Sequence, residues 1–213
     1  MRQIKIAEAA NAANLRLTWA EDRFEDFAEL LQRGFMLKAR ARSSIRDVLC
    51  GQFGISHEYL DQRINTIFLD GKPVDDVDSA TIGGGSKLAL SAAMPGFVGA
   101  ALRKGGFYAP MRQVITHVEG TESVPGGDEL FVLKLFNLVV KELGPLFLDS
   151  GIWLDRRDLE SFFNSRPAEF WSGCLQCLME VDELEVDSLH KGKWLIESPL
   201  VYLRIHVVTG DKQ

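Results

Sequence analysis

The sequence predicts an α+β protein, with a sheet and a packed helix in its N-terminal half and a helical module ending in a β-hairpin in its C-terminal half. Three observations carry this. Period-two alternation across residues 35–42 gives way directly to helical spacing at Ile45, Val48, Leu49 and Phe53. Two apolar runs, 64–69 and 87–92, frame an Asp70-Gly71 tight-turn signal and the glycine run Gly83-Gly84-Gly85. Beyond Gly127 apolar residues recur at helical spacing as far as Leu178, and alternation returns at 200–208.

Taken in order, Thr18-Trp19-Ala20-Glu21 reads as a capping box. Phe24, Phe27, Ala28, Leu30 and Leu31 share a face behind it, which predicts a helix over 19–33 closed by Gly34. In the strand 35–42, Phe35, Leu37, Ala39 and Ala41 face inward, and Lys38, Arg40 and Arg42 face out with Met36. Ser44 then starts the helix that Gly54 ends. Residues 95–106 are Gly-rich and apolar and read as a loop. A module boundary is expected near Arg112–Pro125, dividing the chain into 1–112 and 113–213. Asp128 reads as an N-cap for a helix carrying the polar stripe Lys134, Asn137 and Lys141, stopped by Gly144-Pro145. Asp155 caps a short helix bearing Leu159, Phe162 and Phe163. Pro167 opens another, on which Phe170, Trp171, Cys174, Leu175 and Leu178 continue. The hairpin pairs 193–197 with 200–208, with Val201, Leu203, Ile205 and Val207 inward and Tyr202, Arg204 and His206 outward.

Composition narrows the function. The 213 residues carry 24 Lys and Arg against 30 Asp and Glu, a net charge of −6. An acidic whole argues against general nucleic-acid binding. The charge is uneven: residues 1–112 are net +2 and residues 113–213 net −8. Three cysteines do not make a disulfide framework. The longest uncharged run, 15 residues between Lys87 and Arg103, is too short to span a bilayer and contains Pro95-Gly96. The N-terminus has no apolar signal-peptide core, so a cytoplasmic protein without a membrane partner is expected.

No nucleophile-elbow, zincin or Walker motif occurs, so no catalytic residue and no cofactor are assigned. Cys174-Leu-Gln-Cys177 is the one metal or redox candidate. Placed mid-helix on an apolar face it reads as a pair of core cysteines, since zinc needs two more ligands. His57, His117, His190 and His206 are scattered. Gly83–Lys87 imitates a phosphate loop but is followed by a strand where a helix is needed. Asp75, Asp76 and Asp78 lack calcium-loop spacing and read as a solvated turn. The aromatic group Phe162, Phe163, Phe170 and Trp171 reads as core. The sharpest surface feature is the row Lys38, Arg40 and Arg42, with Arg33 and Arg46 nearby and no acid between Leu30 and Arg46. Cations alternating on one strand face can track an acidic protein, an anionic ligand or another copy of this chain. Glu183, Glu185 and Asp187, alternating with Leu184 and Val186, read as an acidic strand that could complement them within the chain or in a homo-oligomer.

Residues 35–96 run strand, helix, strand, Asp-Gly turn, irregular stretch, strand. Within them Phe68-Leu69-Asp70-Gly71, Val74, the late turn Gly83–Lys87 and the tail Ala92-Ala93-Met94-Pro95-Gly96 resemble the second half of the ubiquitin-like β-grasp sulfur carriers, the molybdopterin-synthase small subunit and the thiamine-pathway carrier. The resemblance implies a β-grasp sheet and, for a carrier, an exposed terminal Gly-Gly. Here Pro95-Gly96 is followed by 117 residues, and Gly105-Gly106 is also internal. The family's first strand is hard to place, because residues 19–33 read as helical, and a later strand can fill that slot. The expectation is a non-catalytic protein-binding or scaffold protein. The alternatives are a carrier precursor cut after Gly96 or Gly106 and a CxxC metal protein.

Overall fold

The computed structural model describes residues 6–20, 23–92, 96–107, 127–190 and 198–208, and these form an α+β chain. A short helix α1 (Ile6–Ala10) precedes strand β1 (Ala13–Trp19), which buries Leu15, Leu17 and Trp19 and exposes Arg16. This corrects the helix expected over 19–33. Leu15-Arg16-Leu17-Thr18-Trp19 alternates with period two, Thr18 lies inside the strand, and Glu21 is outside the described residues. Helix begins only at a 3-10 turn, Phe24–Phe27, that continues as α2 (Ala28–Arg33). Gly34, at φ 116°, turns the chain into β2 (Phe35–Arg40). β2 buries Leu37 and Ala39 and exposes Lys38 and Arg40, although Met36 is buried too. It ends earlier than expected, because Arg42 sits at φ 59° in the turn before β3 (Ser43–Ser44).

The Ser44 hydroxyl accepts from the Asp47 amide at 3.0 Å and so starts the expected helix. The helix widens to π geometry over Asp47–Gln52, with the Phe53 amide donating to the Val48 carbonyl at 3.1 Å. A second π turn covers Tyr59–Arg63. β4 (Thr66–Leu69) and β5 (Lys72–Pro73) form the expected hairpin, with Asp70 at φ 51° and Gly71 at φ 80° supplying the two left-handed residues its turn requires. β6 (Thr81–Ile82) and β7 (Lys87–Ser91) follow.

Downstream, several expectations fail. Gly96–Leu102 is a helix, α3, not a loop, carried by Ala100, Ala101 and Leu102 despite its glycines. Asp128–Phe136 is a strand, β8, not the start of a helix. Leu130, Phe131, Val132 and Leu133 are all buried, so both faces of this stretch are covered and it is apolar without any period, which spacing alone cannot tell from a buried helix. The apparent polar stripe is divided among three structures: Lys134 is on β8, Asn137 is a turn residue at φ 55°, and Lys141 is on α4 (Leu138–Ser150). Pro145 lies inside α4 rather than ending it. At Gly144 an added Cβ would stand 2.9 Å from Leu31 Cδ1, so the glycine permits close packing on α2.

β9 (Ile152–Asp155) feeds α5 (Arg156–Asn164), whose N-cap Asp155 accepts from the Arg157 amide as the sequence predicts. α6 (Ala168–Trp171) starts after Pro167 and ends at once. The helix expected through Leu178 is instead a strand, β10 (Cys174–Met179). β11 (Asp182–Glu183) and α7 (Val186–His190) replace the expected acidic strand. β12 (Leu200–Val207) buries Val201, Leu203 and Ile205 and exposes Arg204 and His206. Its expected hairpin partner, 193–197, lies outside the described residues. So do Pro95, His117 and the boundary expected at 112–125.

Contacts group the chain into two compact units, each discontinuous in sequence. Among the described residues the first holds Ile6 and Met36–Glu142, the second Ala7–Phe35 and everything from Leu143 on. A cut at 112/113 leaves β8 on the far side from the strands it joins.

In the first unit the strand order is β2-β8-β7-β4-β5. β8 runs parallel to β7, with Leu88 opposite Leu133 and Leu90 opposite Leu135, and β4 is antiparallel to β7. One sheet face packs on Ile45, Val48 and Leu49, all fully buried, and Phe53 meets Phe131 at 6.3 Å. In the second unit the order is β11-β10-β1-β12-β9, with β12 parallel to β1 and antiparallel to β9. The expected aromatic core forms there around residues the sequence did not add to it: Trp19 lies 5.2 Å from Phe170, and Phe27 lies 5.6 Å from Phe162.

Candidate binding surfaces

Side chains on a strand alternate, and residues in register on neighbouring strands point to the same side. In the first unit the face opposite the Leu49 core therefore carries Lys87 and Ala89 of β7 with Val132 and Lys134 of β8. Lys38 joins this face, because its Nζ bonds the carboxylate of Asp128 on β8 at 2.9 Å. Arg40 follows it by alternation. Lys38, Arg40, Lys87 and Lys134 thus share one sheet side with Asp128 and, by the same alternation, with the buried Met36, Leu130 and Val132. Lys87 and Lys134 were not legible as members of this set, since residue 134 read as helical.

Lys38 and Asp128 are each nearly half exposed, 47% and 46%. Water screens such a pair, which is worth under about 1 kcal/mol. Its carboxylate is easily exchanged for another. Arg42 lies beyond the strand, in the turn between β2 and β3. Arg33 and Arg46, which stand near the row in sequence, do not belong to it. Arg33 bonds Glu29 at 2.5 Å. Arg46 is clamped between Asp61 at 3.0 Å and Asp78 at 2.6 Å, and those two carboxylates raise its pKa. In return the hydrogen bond from Arg46 lowers that of Asp61.

The acidic turn is structural. Asp76 accepts from the Asp78 amide at 2.9 Å, Asp78 holds Arg46, and Asp75 accepts from the Gly105 amide at 3.0 Å. Gly105-Gly106 is therefore tied into the first unit. Gly96 opens α3. A shallow cleft of about 540 Å³ is lined by Ser56, Glu58, Tyr59, Gln62, Arg63 and Glu142, and its one arginine is engaged, because Arg63 and the Tyr59 hydroxyl both donate to Glu142. The Tyr59 hydroxyl is pushed well above its ordinary pKa by burial and by that carboxylate.

Cys174 and Cys177 lie on β10 rather than on a helix face. Burial holds both thiols protonated, Cys174 pushed up to about 11 and Cys177 to about 12. A protonated thiol is a poor nucleophile and a poor metal ligand. Among the described residues no group of three or more His, Cys, Asp and Glu could hold a metal ion. No helix among them is long and apolar enough to cross a membrane.

In the second unit the outward side of the sheet carries Arg16 and Thr18 of β1, Gln176 and Leu178 of β10, and Arg204 and His206 of β12. The sequence marked Arg204 and His206 as outward but missed Arg16, whose strand read as the approach to a helix.

Comparison with protein-family models, with curated proteins and with solved structures finds no match for this chain.

Proposed function

We propose that this chain is a non-catalytic binding protein that docks an acidic protein segment on the cationic sheet face of its first unit. The observation that carries the reading is the pairing of exposed Lys38 and Arg40 with buried Leu37 and Ala39 on one strand. The cations are held outward by the core beneath them. Lys87 and Lys134 extend the same side over two further strands. Cations set apart on three strands, with one weakly held counter-charge at Asp128, suit an extended acidic partner better than a small ligand.

We further infer that the first unit is a β-grasp whose missing first strand is supplied from downstream. The resemblance implies a first strand parallel beside the last. β8 has that position next to β7, paired through five residues. The reading as a cut sulfur carrier is the weaker one on this account. Cleavage after Gly96 or Gly106 would sever β8 from the sheet it pairs with, and the Gly105 amide is engaged by Asp75.

The test is charge reversal. Lys38→Glu/Arg40→Glu should leave stability within about 0.5 kcal/mol, as for surface changes generally. It should abolish low-salt binding to a polyglutamate peptide, along with any self-association of the wild type. Unchanged association would overturn the proposal, and unfolding would show that the face is core. Intact mass from the native host addresses the carrier reading, which requires a species ending at Gly96 or Gly106 with an added sulfur.

A further inference from the structure

We infer that the outward sheet face of the second unit holds a binding site for a phosphate group borne on a small molecule. The site is a concavity of about 400 Å³ among Arg16, Thr18, Asp149, Gln176, Arg204 and His206, within the size range of small-ligand pockets.

The register creates it. β1 and β12 run parallel with Arg16 directly opposite Arg204 and Thr18 opposite His206. Neighbouring strands are about 5 Å apart, so two guanidinium groups start side by side, an arrangement that is unfavourable without an anion to share. Among the described residues no carboxylate is bonded to either one. Arg16 donates through Nη2 to the Glu180 carbonyl at 3.0 Å, and Arg204 donates through Nε to the Asp149 carbonyl at 3.2 Å. Both contacts are to backbone, and among the described residues neither arginine has an ion pair. They anchor the side chains and leave most of each guanidinium fork unspent.

The remaining groups fit the same ligand. His206 Nδ1 stands 3.0 Å from Asp149 Oδ1, which fixes the ring and leaves Nε2 as its open nitrogen. Among the described residues Asp149 is the one acid lining the concavity, and it is engaged by His206. Thr18 adds a hydroxyl beside His206. Gln176 lies at the rim, its amide 3.5 Å from Glu183. One carboxylate is satisfied by one arginine fork. Two arginines, an imidazole and a hydroxyl lining one concavity match the peripheral oxygens and the double charge of a phosphate monoester.

The inference does not rest on the acidic-partner reading, because it concerns another unit and other residues. Titrating the full chain with inorganic phosphate and, separately, with phenyl phosphate, while following arginine side-chain N–H resonances, tests it. Phosphate should shift two arginine Nε–H signals together, and phenyl phosphate should bind more tightly if the organic part also makes contact. Arg204→Gln and Arg16→Gln should each weaken phosphate by about tenfold or more, the loss expected for a hydrogen bond to a charged group. Lys38→Glu/Arg40→Glu should leave phosphate affinity unchanged. Should a glutamine variant fail to fold, the wild-type arginine shifts decide. Absence of those shifts at the highest soluble phosphate concentration, or unchanged affinity in a folded Arg204→Gln, overturns the site.

Discussion

The outward sheet faces of the two units are both cationic, and they differ in how the charge is held. In the first unit the cations are spread over β2, β7 and β8, and an acid as exposed as its partner answers Lys38. In the second, Arg16 and Arg204 are in register on adjacent strands, each is pinned by a backbone carbonyl, and a concavity lies over them. Net charge does not distinguish these arrangements. Strand register does: dispersed cations make a surface, and cations in register beneath a concavity make a site. The same register that brings β8 beside β7 completes the cationic face of the first unit.

The largest effect should come from the side of the first sheet that the cations do not occupy. Leu49 is fully buried beneath it, and Leu49→Ala should cost about 2–5 kcal/mol in denaturant unfolding. A loss under about 0.5 kcal/mol would mean that the two sides of this sheet are not core and surface. Next is Gly151, at φ 103° just after α4. An added Cβ there would overlap the Tyr202 hydroxyl, which donates to the Ser150 carbonyl at 2.9 Å. Gly151→Ala should cost about 1–3 kcal/mol from the left-handed backbone and the collision together, read as a lower melting temperature. No change would show that Tyr202, two residues before Arg204, is not fixed in place. The smallest effect is acid sensitivity. Hydrogen bonding to Arg166 first, with the Arg33 charge behind it, holds Glu29 below its ordinary pKa in the second unit. The folded state therefore binds that proton less readily than the unfolded state. The pair's contribution is complete above the usual glutamate range and is lost as pH falls through that range to the lowered folded value. Glu29 is 44% exposed, so screening keeps this under about 1 kcal/mol. Glu29→Gln should flatten the pH dependence of melting over that window, and a variant that keeps the full slope would remove Glu29 from the account.

Local rules made much of the chain legible. The Asp155 cap, the Asp70-Gly71 hairpin, the Ser44 helix start and the alternation of β12 each depend on a few neighbouring residues, and each stands in the structure. What was illegible depends on distant partners. The middle of β8, Leu130 to Leu133, is buried on both faces, and that erased its period. Cys174 and Leu178 carried the helical spacing of Phe170 past the end of α6, although pairing with β1 makes them strand. Arg40 and Arg204 could be placed outward from alternation. That Arg204 faces Arg16, and that Lys134 shares a side with Lys87, follow only from strand order and register. Both candidate surfaces were thus half visible in the sequence, each through one of its strands.

The most direct measurement crosses both ligands with both surfaces: affinities for a polyglutamate peptide and for inorganic phosphate, in wild type, in Lys38→Glu/Arg40→Glu and in Arg16→Gln/Arg204→Gln, all shown folded by melting. The account predicts a crossed result, the first variant losing the peptide and keeping phosphate, the second losing phosphate and keeping the peptide. Loss of both ligands in either folded variant, or of neither in both, would contradict it.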